Sequence, residues 1–240
     1  IKRLQLLGGE PFLQQDVLKL IDFFDTNPQP ELEFNLVTNL MLSGKILDPI
    51  LEKLKKLKNT GKLKRIDINI SVDCWGETQE YIRHGFKSDV FEKNMLSLLD
   101  QRAFRIGLLS TVTSLSISTM PLLAAKYNEW CKKQKIYWYM HGVLPDKKSI
   151  FDPTIFDYSY YRSYIDTMYE LLPNKTWDDK KTLELFTGIV AKLKDTCNND
   201  VQRISELIDY LGKNDTRRNL NWRQVFDDLY NLEKNNYVVQ

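Results

Sequence analysis

Through about residue 145, short apolar runs of strand character alternate with amphipathic runs of helical period. That regularity limits the fold more than any single residue does. The strand-like runs are Lys2–Leu7, Leu32–Asn39, Arg65–Asp73, Ala103–Ser114 and Lys135–His141. Between them lie helical patterns near Asp16–Phe24, Ile46–Leu57, Val90–Gln101 and Thr119–Lys133. Crossovers of this length connect parallel strands with right-handed connections. The expected class is therefore α/β. Without a Rossmann glycine fingerprint, the expected form is an open or partial (β/α) barrel with parallel strands. From Pro145 the texture changes. Pro145–Ser149 and Asp152-Pro153 read as a linker, followed by helical patterns at Tyr158–Leu171, Asp178–Lys194, Val201–Gly212 and Trp222–Leu232. The expected organisation is residues 1–145 as a barrel-like part and residues 146–240 as a mostly helical C-terminal region.

The run Arg65–Asp73 carries the clearest pattern. Ile66, Ile68, Ile70 and Val72 share one face, and Asp67, Asn69, Ser71 and Asp73 share the other. In a parallel sheet the apolar face packs on helices, so the polar face lines an interior or its mouth. A solvated antiparallel strand would show the same alternation; the long crossovers favour the lined interior.

The first run ends in Gly8-Gly9-Glu10-Pro11, and an amphipathic helix follows at once. Glycines admit backbone geometry and ligand approach that a Cβ would block. A carboxylate beside exposed peptide N–H groups suits a zwitterionic ligand. The same four residues also suit a plain strand-to-helix turn, with Pro11 pre-setting the backbone and Glu10 favouring the helix N-terminus.

Composition sets outer bounds. A net charge of +2 over 240 residues gives no argument for a nucleic-acid partner. No apolar run reaches membrane-spanning length, and no secretory signal pattern is present. Cys74, Cys131 and Cys197 form neither a disulfide framework nor a metal-ligand spacing, so the expected compartment is cytoplasmic. The lysines between Leu51 and Arg65 flank Leu51, Leu54 and Leu57 and read as the wet face of a helix. His84 and His141 are the only histidines; His141 ends a strand-like run and reads as either a substrate-side acid or base or a hydrogen-bonded structural group. Tyr158, Tyr160, Tyr161, Tyr164 and Tyr169 mostly fit a helix that packs one face on the barrel; walling a substrate pocket is the other reading for some of them.

The Gly-Gly-Glu-Pro turn, together with Ser71-Val72-Asp73-Cys74-Trp75 and the following Tyr81-Ile82-Arg83, resembles the radical S-adenosylmethionine enzymes, in particular the branch with SPASM or twitch C-terminal regions. The resemblance covers roughly residues 1–145. Over the C-terminal region it rests mainly on Asp215-x-Arg217-Arg218 ahead of Trp222 and Phe226. It implies that Gly8, Gly9, Glu10 and Pro11 hold the methionine amino group of S-adenosylmethionine, with Thr38 and Asn39 as the turn beneath it. Ser71 and Asp73 would approach the ribose, and Arg83 would pair with the methionine carboxylate. A plain strand-ending turn at Thr38-Asn39 and a surface ion pair of Arg83 with Glu80 or Glu77 are the competing readings.

In this family a [4Fe–4S] cluster and an electron donor such as flavodoxin or ferredoxin lead to a 5′-deoxyadenosyl radical that abstracts hydrogen, here implying a peptide or protein substrate. The cluster needs cysteine thiolates in a Cys-x3-Cys-x2-Cys loop ahead of the Gly-Gly-Glu-Pro turn. This chain starts at Ile1, seven residues before Gly8, and its cysteines cannot supply that spacing. The expectation is a chain that lacks the first βα unit together with the cluster ligands. The alternative is a cluster-free module that keeps the barrel and binds a peptide or serves as a scaffold without catalysis.

Overall fold

The structure, a computed structural model, describes residues 1–142, 149–173 and 177–235. The linker reading at Pro145–Lys148 lies outside the described residues. The elements in chain order are β1 (Arg3–Leu6), α1 (Gln15–Thr26), β2 (Gln29–Thr38), α2 (Gly44–Asn59), β3 (Leu63–Ser71), α3 (Glu77–Ile82), α4 (Ser88–Gln101), β4 (Arg105–Val112), α5 (Met120–Cys131) and β5 (Ile136–Gly142). Then come α6 (Tyr158–Leu171), α7 (Trp177–Lys194), α8 (Val201–Arg218), α9 (Trp222–Val225) and α10 (Asp227–Lys234).

The class is α/β. Five parallel strands form one sheet in the order β1-β2-β3-β4-β5, so each strand neighbours the next in sequence. Parallel pairing excludes the solvated antiparallel reading of β3. Two departures from the sequence reading concern short elements. The stretch between Asp73 and Val90, for which the sequence shows no helical pattern, holds the six-residue α3, and the single helix expected over Trp222–Leu232 breaks at Phe226, whose ψ of 67° is not helical.

By compactness the chain divides into two units of interleaved segments. The first comprises Ile1–Val72, Lys87–Leu109 and Tyr127–Tyr139; the second comprises Asp73–Phe86, Ser110–Lys126 and Met140–Gln240. In the first unit, register sets Phe34 against Ile66 and Leu36 against Ile68, which faces Ile106. All five are fully buried, as are Leu47, Leu51 and Leu54 of α2. Each such side chain contributes about 1.5–3 kcal/mol of burial free energy. The α2 lysines lie on its outer side, and Lys53 and Lys56 pair with Asp22 and Asp25 of α1.

The second unit is built on aromatic packing. Tyr161 is fully buried, donates to the Ser114 carbonyl at 3.0 Å and meets Phe156 edge-on. Its helix, α6, starts on Asp157, whose carboxylate accepts the Ser159 N–H at 2.8 Å. Asp200 caps α8 in the same way, accepting both the Arg203 N–H at 3.1 Å and its Nε at 2.7 Å.

Candidate functional site

The expected site residues fall into two clusters, one in each unit. In the first unit, β1 ends in Gly8 and Gly9 with φ of +95° and +60°, left-handed values that strain any residue with a side chain. The space a Cβ would take at Gly8 is open, so the backbone there stays approachable. At Gly9 a Cβ would stand 2.7 Å from Gln14 Nε2, which donates to the Gly8 carbonyl at 3.3 Å. Pro11 then opens a single 3-10 turn.

Glu10 performs both of the roles its sequence admits. Its Oε1 accepts the Phe12 N–H at 3.4 Å and so caps the turn. The same carboxylate reaches β2: Thr38 Oγ1 lies 2.8 and 2.9 Å from its two oxygens, and the Asn39 N–H donates to Oε2 at 2.9 Å. Three donors against about four lone-pair sites leave acceptor capacity for one more. The Thr38–Asn39 turn is itself tightly held. Thr38 Oγ1 accepts the Leu40 N–H, and Asn39 Oδ1 accepts the Met41 N–H, both at 2.9 Å. Leu40 is fully buried at φ +59° although it is not glycine. Asn94 of α4 holds it there, donating to the Leu40 and Leu42 carbonyls at 2.8 Å each. Sequence reasoning overlooked Asn94; an asparagine inside an amphipathic helix carries no signal of its distant partner. Ser71 sits half-buried at the end of β3, opposite Leu109 in register.

In the second unit, Asp73 is the organising group. Its Oδ2 accepts Arg83 Nε at 2.8 Å, and its Oδ1 accepts the Thr111 N–H at 2.9 Å. Arg83 is therefore engaged by Asp73. Its side chain keeps 37% exposure against 10% for Asp73. Thr111 Oγ1 continues the chain to His141 Nε2 at 3.0 Å. Gln79, fully buried, accepts the N–H groups of Asp73 and Cys74 at 3.2 and 3.1 Å, while its Nε2 is buried without a partner among the described residues. Cys74 is a packing residue, and burial pushes its thiol well above the ordinary range.

The C-terminal motif has a local purpose. Tyr81, two residues before Arg83, donates to Asp215 Oδ1 at 2.8 Å, and Asp215 Oδ2 accepts the Trp222 N–H at 2.9 Å. The Tyr81 ring meets Phe226 edge-on at 5.2 Å, and Arg218 Nη1 lies 3.5 Å from the Tyr81 carbonyl. Burial, reinforced by the Asp215 carboxylate, pushes the Tyr81 phenol well above its usual value, so it remains a donor. Asp73, Arg83 and Tyr81 border a cleft of 280 Å³ with Phe151, Tyr210 and Asn214.

Cys74 is buried, Cys131 half-buried and Cys197 exposed, and the described residues contain no grouping of three His, Cys, Asp or Glu able to hold a metal ion. These residues do not fit an iron–sulfur cluster. The Gly8–Glu10 turn does fit a cationic or zwitterionic head group, through open backbone and a carboxylate with spare acceptor capacity. Among the described residues no helix is long and apolar enough to cross a membrane. No protein-family model matches the chain, and no curated protein shows significant sequence similarity to it.

Proposed function

We propose that this chain is the S-adenosylmethionine-binding portion of a radical S-adenosylmethionine enzyme, its sheet part of a partial (β/α) barrel. The observation that supports it most is the Glu10 carboxylate anchored on Thr38 and Asn39 beside an open Gly8 backbone. In this reading Glu10 receives the cofactor's ammonium group, and the Gly8–Gly9 backbone lies against its methionine portion. Ser71 and Asp73 serve the ribose, and Arg83, held in orientation through its Nε by Asp73, offers its guanidinium edge to the methionine carboxylate. When bound and reduced, the cofactor would supply the radical that abstracts hydrogen, here from a peptide or protein substrate. What this chain contributes is binding, orientation and exclusion of water.

Calorimetric titration of the chain with S-adenosylmethionine tests the reading. Glu10→Ala and Arg83→Ala are each expected to weaken binding by about tenfold or more, the size of one charge-assisted contact. A parent chain that does not bind the cofactor, or two variants that bind it as well as the parent, rejects the assignment.

A further inference from the structure

The face of the sheet opposite the buried isoleucines carries polar rows that the cofactor reading does not use. Register aligns Arg3 with Glu33 and Arg65, then Gln5 with Asn35, Asp67 and Arg105, then Val37 with Asn69 and Gly107. Parallel sheets ordinarily cover both faces with apolar side chains, so a polar face of this extent calls for polar company. Within the first unit Arg3, Gln5, Asn35, Asp67, Asn69 and Arg105 of these rows line a cavity of 220 Å³, walled at β5 by Tyr137 and Tyr139.

Pairing along these rows is lopsided. Arg65 donates to Asp67 through Nε at 2.8 Å and Nη2 at 3.1 Å, and to Glu33 through Nη2 at 2.8 Å. Burial by itself would lower the Arg65 pKa, but Asp67 and Glu33 outweigh it and raise it. Asp67, the carboxylate that lines the cavity, is thus engaged by Arg65, and Glu33 is shared between Arg65 and Lys64, the latter at 3.4 Å. Arg105, the register neighbour of Asp67, lies instead over the Tyr137 ring, 4.0 Å from its centroid. Among the residues that line the cavity, Arg3 and Arg105 stand against Asp67, which leaves the lining with one net positive charge. Neutral amides surround it. Asn69 Nδ2 donates to Asn35 Oδ1 at 2.7 Å, and Gly107 makes room for that pair, since a Cβ there would stand 2.4 Å from Asn69 Oδ1.

We propose that this cavity binds an acidic peptide segment, with Arg105 gripping a side-chain carboxylate while Gln5, Asn35 and Asn69 meet the neighbouring peptide amides. A guanidinium stacked on an aromatic ring is a fixed planar fork, which matches a carboxylate bidentately. One net positive charge beside an existing carboxylate suits a monoanion better than a phosphate dianion. The amides match the donors and acceptors of a peptide backbone. The cavity makes no use of Glu10, Thr38 or Asn39, so it stands or falls apart from the cofactor reading.

The test titrates the full chain, without S-adenosylmethionine, with acetyl-Ala-Glu-Ala-amide, its Gln counterpart, N-acetylglutamate and inorganic phosphate. Calorimetry gives affinities, and ¹⁵N–¹H shifts give location. The Glu tripeptide is expected to bind about tenfold tighter than the Gln tripeptide and to shift the amides of Asn35, Asn69 and Gly107. Arg105→Lys keeps the charge but not the fork; it is expected to remove that tenfold preference, with far-UV circular dichroism confirming the fold. Tyr137→Leu, which removes the stack, is expected to act in the same direction. Equal binding of the two tripeptides, no saturable binding at about 10 mM ligand, or shifts confined to other residues overturns the proposal. Phosphate binding tighter than every carboxylate also overturns it. N-acetylglutamate binding as tightly as the tripeptide overturns the peptide assignment, since the amides would then contribute nothing.

Discussion

The two clusters of the candidate site are built in opposite ways. The Gly8–Asn39 cradle in the first unit joins the ends of two adjacent strands, and its principal ties run from one short turn to the next. The Asp73–Arg83 cluster in the second unit depends on residues more than a hundred positions later, where Asp215, Trp222 and Phe226 secure Tyr81. A turn assembled from neighbours needs little besides the correct local residues. An arginine at the end of a six-residue helix, far too short to be stable alone, needs a tertiary scaffold. The comparison shows why the Gly-Gly-Glu-Pro stretch is conspicuous in the sequence, while the C-terminal motif carries only a weak signal.

The largest expected effect breaks that scaffold. Trp222 is fully buried, and Trp222→Ala is expected to cost about 3–5 kcal/mol in urea denaturation. It is also expected to accelerate amide exchange at Arg83, whose N–H bonds the Gln79 carbonyl. Unchanged exchange there would break the contrast, because the helix would then be holding itself. The cradle gives a smaller, more local effect. Glu10→Ala removes the acceptor for Thr38, Asn39 and Phe12 and is expected to cost about 1–3 kcal/mol, with exchange rising first at the Asn39 amide. Exchange that rises along all of β2 instead would show that the cradle is a wider support than its contacts suggest.

The smallest effect is one of pH. Hydrogen bonds from the Arg203 backbone and side chain hold the Asp200 carboxyl below its usual value. A lowered folded pKa means that the cap stabilises fully above the unfolded value of about 3.9 and loses its contribution as pH falls through the lower folded one. Parent and Asp200→Ala are expected to differ by about 0.5–2 kcal/mol at neutral pH. That gap should close progressively below about pH 4. A gap still constant at about pH 2 would show that the charge of Asp200 contributes nothing.

Much of the first layer was legible. The five strands and the helices between them lie within a few residues of their expected places, because burial on one face writes a period into the sequence. The alternation in β3 identified both the buried isoleucines and the polar face that now includes Asp67 and Asn69. Asn94, Gln79 and the Thr111 N–H were not legible. Each acts on a partner brought near only by folding, and a polar residue in a helix or loop looks the same whether it is solvated or bonded to a distant carbonyl. The break at Phe226 was hidden for a related reason, since Trp222, Phe226 and Leu229 keep helical spacing across it.

By itself, then, the sequence determined the α/β alternation, the sidedness of the strands and a glycine turn with a carboxylate at the end of the first strand. Those are properties of period and of single-residue stereochemistry, and both are local. Only the tertiary structure decided that Glu10 is tied to Thr38 and Asn39, and that Arg83 is oriented by Asp73. It also decided that Arg105 is stacked on a tyrosine while Arg65 pairs with both nearby carboxylates. Pairing among several charges of similar type is settled by distance and burial, and neither exists until the chain has folded.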